Sequence, residues 1–256
     1  MPGFRRPLAN LCVLPLAFRA ACLSLTRRAT TGRLARPRRA RRRASGVQEG
    51  RFVAILSQGR AGSTLILRML NACPAVHLCG ENNRAFDHLQ RFVDCYRDAG
   101  KNHTSDFFKL AWKLPCDEPT LLARVRELAL GLYNPGGADR LFGFKEIRYG
   151  QNDDLDSDLG FLRQLFPRMR VIFNVRNTED CVKSLWWAAD PEGSTRTLEM
   201  IRNSFWQHYV RHRDYCYWMP FEELKRGSPG LQGMFDFLEI PMTSQAAAEL
   251  DVRMRQ

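Results

Sequence analysis

Between residues 49 and 256, short apolar runs alternate with stretches of helical spacing, and this alternation constrains the fold most. The first run, Phe52-Val53-Ala54-Ile55-Leu56, ends in Ser57-Gln58-Gly59. Continuous apolar runs of this length read as strands buried on both faces. Leu141-Phe142-Gly143-Phe144, Val171–Val175 and Tyr215–Met219 supply three more strands. Helices are expected at 65–70, 85–97, 120–133, 159–166, 178–187, 197–215 and 231–238. Pro74, Asn134-Pro135-Gly136-Gly137 and Pro241 act as breakers. Strands alternating with helices predict an α/β fold, a parallel sheet with helices on both faces.

Charge separates the chain into two parts. The formal net charge is +12, but residues 1–48 carry twelve Arg, no Lys and no acid. The 27 basic residues left in 49–256 balance the 27 acids. Nucleic acid is therefore not an expected partner of the folded body, because a basic face is the usual footprint. The chain is read as a basic leader (1–48) and one folded domain (49–256).

The leader's longest apolar stretch, Leu8 to Phe18, is 11 residues, short of the roughly 20 that span a bilayer. Arg-rich, acid-free leaders resemble organelle transit peptides, which points to a plastid or mitochondrion. A secretory signal anchor is the alternative, with a Golgi location and membrane contact through that anchor. A plain unstructured basic tail is the third reading. Eight cysteines include no C-x-x-C pair, and ordinary buried thiols are expected for the six in 49–256. Asn102-His103-Thr104 is a glycosylation sequon that matters only in a secretory compartment.

Two strand-to-helix turns carry the chemistry. In Ser57-Gln58-Gly59-Arg60-Ala61-Gly62-Ser63-Thr64 the glycines let successive N–H groups face one concavity at a helix N-terminus. Arg60 adds a charged fork, and Ser63 and Thr64 add hydroxyls, all suited to an oxyanion. This is not a Walker A loop, since Gly62 stands where that motif needs Lys. The second turn, Arg176-Asn177-Thr178-Glu179-Asp180-Cys181-Val182-Lys183-Ser184, also follows a strand. Arg176 leaves the carboxyl end, where open α/β sheets bind ligands, and Ser184 is expected about two helical turns later. The packing-only alternative has Thr178 as a helix cap and Arg176 paired with Glu179 or Asp180.

Together these turns resemble the sulfotransferases that use 3′-phosphoadenosine 5′-phosphosulfate (PAPS). Gly59-Arg60-Ala61-Gly62-Ser63-Thr64 is similar to their 5′-phosphosulfate loop, and Arg176 with Ser184 to their 3′-phosphate clamp. Cys79-Gly80-Glu81 is similar to the segment holding the catalytic glutamate of tyrosylprotein sulfotransferases. Gly143-Phe144-Lys145-Glu146 resembles the central lysine strand of the Golgi and bacterial branches. Phe221-Glu222-Glu223-Leu224 and Phe235-Asp236-Phe237-Leu238-Glu239-Ile240-Pro241 resemble the family's closing segments. The likeness spans 52–241. Ala61 stands where a small hydroxyl residue is usual, and Glu81-Asn82 where the tyrosine enzymes have two glutamates.

The resemblance implies a P-loop-type sheet and sulfonate transfer from PAPS to a hydroxyl or amine of a carbohydrate or other biomolecule. It implies Glu81 as general base, with Arg60 and Lys145 on the leaving-group charge and no metal. Gly59, Arg60, Ala61, Gly62, Ser63, Thr64, Arg176 and Ser184 are the implied donor-binding set. A P-loop nucleotide kinase is the alternative enzyme, and a non-catalytic protein acting through its leader is the alternative of another class. His208 and His212 are expected to form a solvent-facing i, i+4 pair. Trp186, Trp187, Trp206 and Trp218 suit an acceptor-contacting wall or, more commonly, a buried aromatic core.

Overall fold

The computed structural model describes residues 50–101, 117–135, 140–151 and 154–254. The leader, the sequon at 102–104 and Cys116 lie outside them. In chain order the elements are β1 (Arg51–Ser57), α1 (Ser63–Asn71), β2 (Val76–Cys79), α2 (Ala85–Lys101), α3 (Glu118–Tyr133) and β3 (Leu141–Glu146). Next come α4 (Leu155–Leu165), β4 (Arg170–Val175), α5 (Thr178–Val182), α6 (Pro191–Arg211), β5 (Cys216–Pro220), α7 (Pro229–Leu238) and α8 (Ser244–Met254). The strands pair in parallel in the order β2-β3-β1-β4-β5.

Side chains alternate across a strand, so β1 feeds two cores. Phe52, Ala54 and Leu56 join Phe86, Phe142, Phe144 and Phe166 on one face. Val53 and Ile55 join Ile66, Met69, Ile172 and Phe235 on the other. Helices cover both faces, which is why β1, β3 and β4 read as continuous apolar runs. Gly143 in β3 has φ +150°, and a Cβ there would lie 1.9 Å from the Val53 carbonyl oxygen. Only glycine lets β3 lie this close to β1.

Four elements depart clearly from the reading of the sequence. β2 was not expected: its four residues alternate buried Val76 and Leu78 with half-buried His77 and Cys79, too short a pattern to stand out. α8 was also not expected. It packs Ala246 and Leu250 into the second core. The helix predicted across 178–187 stops at Val182. Ser184 is extended (φ −110°, ψ 123°), Leu185 has φ +48°, and a 3₁₀ turn covers Leu185–Ala189. Finally, α6 begins at Pro191 and ends at Arg211, shifted toward the N-terminus from the predicted 197–215. The Asp190 carboxylate accepts from the Gly193 amide at 3.0 Å, and Pro at the first helical position needs no donor.

His208 departs from the solvent-facing expectation. It is buried, with Nδ1 against Asp156 and Nε2 2.6 Å from the Tyr215 hydroxyl. The His212 ring lies 4.5 Å away, and Arg211 holds the same Asp156 carboxylate at 2.8 Å. The group joins α4, α6 and the start of β5, at the amino end of the strands.

Candidate active site

The chain leaves β1 for the β2 edge and leaves β4 for the β5 edge, so the winding reverses between these two adjacent strands. A crevice at the carboxyl ends of the strands is the expected ligand position at such a reversal. Buried polar side chains hold this edge together. The Ser57 hydroxyl donates to Asn174 Oδ1 at 3.2 Å, and Asn174 Nδ2 donates to the Met219 carbonyl at 3.2 Å. Gln58 Nε2 donates to the Arg176 carbonyl at 2.9 Å and to Cys181 Sγ at 3.3 Å. Gln58 therefore fixes one turn relative to the other. Burial pushes the Cys181 thiol up, which leaves it a packing residue rather than a nucleophile.

The turn after β1 is built from left-handed residues: Gly59 (φ 77°), Arg60 (φ 57°) and Gly62 (φ 83°). Gly62 occupies the cap of α1 and has no side chain to satisfy the first amides. Leu65 and Ile66 donate to the Gly62 carbonyl. Among the described residues the amides of Ser63 and Thr64 have no acceptor, so two donors at the positive end of α1 face outward. A Cβ at Gly62 would meet the Phe221 ring at 2.6 Å, so the cap must be glycine.

Arg176 follows β4. Its guanidinium lies 4.4 Å from the centre of the Phe221 ring and 3.6 Å from the Asp180 carboxylate. The pairing with Asp180 thus occurs, but it leaves Arg176 Nε buried without a partner among the described residues. Asn177, not Thr178, caps α5 by accepting from the Glu179 amide at 2.8 Å.

The third strand end contributes the central cation. Lys145, on β3 beside β1, is buried, and its Nζ is 2.5 Å from Glu81 Oε1. Glu81 comes from the loop after β2. Arg148 approaches the same carboxylate at 3.4 Å and Glu146 at 2.8 Å.

These pieces enclose a cavity of about 520 Å³. Eight residues expected at the site line it: Gly59, Arg60, Gly62, Ser63, Thr64, Glu81, Lys145 and Arg176. Ala61 does not, since it is fully buried beneath the turn. Ser184 stands next to the wall, its hydroxyl accepting from Arg60 Nε at 2.9 Å. It gets there from an extended segment after α5, not from a second helical turn.

Sequence reasoning missed three apolar lining residues, Leu65, Ile147 and Phe221, and named a fourth, Trp186, only as one of four tryptophans. Trp186 is 52% exposed at the cavity rim, 5.7 Å from the Arg60 guanidinium. Trp187 is beside it at 6.3 Å, whereas Trp206 and Trp218 pair at 5.1 Å on α6 and β5. The four tryptophans thus form neither the buried core that was the commoner expectation nor one wall: none is fully buried, they make two separate groups, and only the first borders the cavity.

Residues 53–243 match the sulfotransferase family, three quarters of the chain. The chain belongs to that family. Among solved structures it is similar to the sulfotransferase domain of the Synechococcus PCC 7002 olefin synthase. The TM-score is 0.52 and the identity 21%, covering 78% of this chain and 76% of that one. It also matches sulfotransferase STF1 from Mycobacterium tuberculosis H37Rv, with TM-score 0.41 and 13% identity over 81% of this chain and 72% of that one. No curated protein matches. The five-stranded parallel sheet flanked by helices is thus a sulfotransferase fold, and sulfotransfer is the activity of the family.

Proposed function

We propose that the chain transfers a sulfonate from PAPS to a hydroxyl or amine of a carbohydrate or other biomolecule. One observation carries this reading. Cations from three strand ends, Arg60, Lys145 and Arg176, surround one cavity in which, among the described residues, Glu81 is the one lining carboxylate. Such a site suits a ligand with several anionic groups and a reaction that needs one proton acceptor.

The donor-side residues fit the nucleotide on this structure's own terms. The Ser63 and Thr64 amides and Arg176 Nε are donors left without acceptors among the described residues. In the proposed assignment, Gly59–Thr64 hold the 5′-phosphosulfate. Arg176 and Ser184 take the 3′-phosphate.

The acceptor oxygen or nitrogen attacks sulfur in line, and the bond from sulfur to the 5′-phosphate oxygen breaks. The proton leaves the acceptor for Glu81, and 3′-phosphoadenosine 5′-phosphate (PAP) departs. Lys145 and Arg60 stabilise the charge that grows on the bridging oxygen. Reactions of this kind rest on positioning and on fixed charge, as phosphoryl transfer does.

Labelled PAPS offered with a panel of phenols, sugars and tyrosine peptides tests the reaction, and titration of PAP against ATP tests the donor. Transfer of label and tighter binding of PAP support the reading. Equal affinity for ATP and PAP, with label never leaving PAPS, would sink it.

A further inference from the structure

Glu146 has no part in the chemistry described above, yet it is fully buried at the carboxyl end of β3, next to Lys145. An unpaired buried carboxylate is costly, and this one is saturated with donors. Oε2 accepts from the amides of Asn82 at 3.1 Å and Arg84 at 3.3 Å. Oε1 accepts from the Ile147 amide at 2.8 Å and from Arg148 Nη1 at 2.8 Å. A group this occupied and this buried cannot serve as the base. It does something else.

The residues it holds follow Glu81 directly. Asn83 and Arg84 are consecutive left-handed non-glycine residues (φ 53° and 57°), a conformation that persists only when surroundings impose it. The Glu146 bonds to Asn82 and Arg84 bracket that pair. Asn82 Nδ2 also donates to the Tyr133 hydroxyl at 2.9 Å, anchoring the loop to α3. On the other side, Arg148 links Glu146 to Glu81, so one buried carboxylate touches both the backbone after Glu81 and a cation on its side chain.

We propose that Glu146 is a positioning residue for sulfotransfer, pinning the 81–84 loop so that the Glu81 carboxylate is delivered to Lys145 at the cavity. This rests on the reading of Glu81 as the base. The inference needs no change in the donor site, because Glu146 does not line the cavity.

The test is a cycle of Glu81→Gln, Glu146→Gln and the double variant in the full chain. It is read as kcat for transfer of the labelled sulfonate from PAPS, to water or to the best acceptor of the panel. Gln at 146 keeps the shape but turns an amide toward donors it cannot satisfy. Glu146→Gln should lower kcat about 10-fold while PAP affinity stays within about 2-fold, and amide exchange should rise in 81–84 but not in 59–64. In the Glu81→Gln background it should cost nothing further, since the residue it positions is already disabled.

Losses that multiply in the double variant, or an unchanged kcat for Glu146→Gln where Glu81→Gln lowers it, overturn the positioning role alone. A Glu81→Gln chain with normal kcat overturns the base, and with it any role through that base. Should Glu146→Gln fail to fold, Glu146→Asp enters the same cycle, keeping the charge with a shorter reach.

Discussion

Lys145 Nζ and the Glu81 carboxylate lie 2.5 Å apart, so the proposed base and the central cation are each other's partners in the free protein. The lysine is nearly enclosed, while a third of the Glu81 side chain is exposed. On the proposed assignment, an anionic donor entering the cavity would compete with Glu81 for Lys145. The carboxylate that loses that competition would be freed toward the acceptor side, and the proposal therefore couples the two side chains through donor binding.

Different outcomes follow for the two members of this pair. Glu81→Gln should lower kcat by about 100-fold, since proton removal is lost. PAP affinity should hold or tighten, because Lys145 no longer has a charged competitor. Lys145→Ala should lower both kcat and PAP affinity. Calorimetry and single-turnover rates measure both quantities. Tighter PAP binding by the Lys145→Ala chain would make the pair merely structural.

Arg176→Ala should weaken PAP binding by about 2–3 kcal/mol, as expected for a charge-assisted contact in a partly desolvated site. The surroundings favour a ligand role: the guanidinium is braced on Phe221, and its Asp180 partner is half exposed and 3.6 Å away. Ser184→Ala should cost about 1 kcal/mol, the loss of one neutral hydroxyl contact plus the bond from Arg60. An Arg176→Ala chain that melts normally and binds PAP as before would leave Arg176 with only its Asp180 pairing.

The central strands and both strand-to-helix turns were legible because each is a local pattern. Burial on two faces makes β1, β3 and β4 continuous apolar runs, and glycines mark the turn after β1. What stayed hidden depends on tertiary contact. β2 is four residues with two half-buried side chains, and its strand state comes from pairing with β3. The break after Val182 carries no Gly or Pro, so helical spacing alone ran through it. His208 looked solvent-facing because its partners, Asp156 and Tyr215, come from α4 and the edge of β5. Glu146 entered the sequence reading only as the residue after Lys145 in the strand motif, with no role of its own, although a carboxylate inside an apolar strand already signals a buried partner set.

Gly143→Ala should destabilise the fold by about 3 kcal/mol or more, because the clash is with backbone that cannot rotate away. The Val53 carbonyl oxygen is 1.9 Å from where the methyl would sit, and φ is +150°. Denaturant midpoints measure the loss. Lys145 is two residues further along β3, so kcat should fall as well in whatever fraction remains folded. A midpoint within experimental error of wild type would mean that β3 can shift away from β1 without cost.

Stability should depend on pH through Asp158, in a direction opposite to the usual carboxylate. Burial, with Asp87 and Asp154 nearby, pushes its carboxyl up from 3.8 to about 6, and Arg84 and Arg91 oppose the shift. A carboxyl with a raised folded pKa holds its proton in the native state while the unfolded chain has lost it. Between those two values the folded protein binds more protons, so this group's contribution falls as pH rises and is level above about 6. Arg84 Nη2 bonds the same carboxylate at 3.0 Å while its Nε pairs with Asp87, so the network joins α2 and α4 behind the 81–84 loop. Asp158→Asn removes the titration and keeps the shape. Denaturation of both chains at pH 4, 5, 6 and 7 should show the variant gaining on wild type up to about pH 6 and then running parallel to it. Parallel curves throughout would mean that Asp158 titrates like an exposed carboxylate, with the Arg84 pair outweighing its burial.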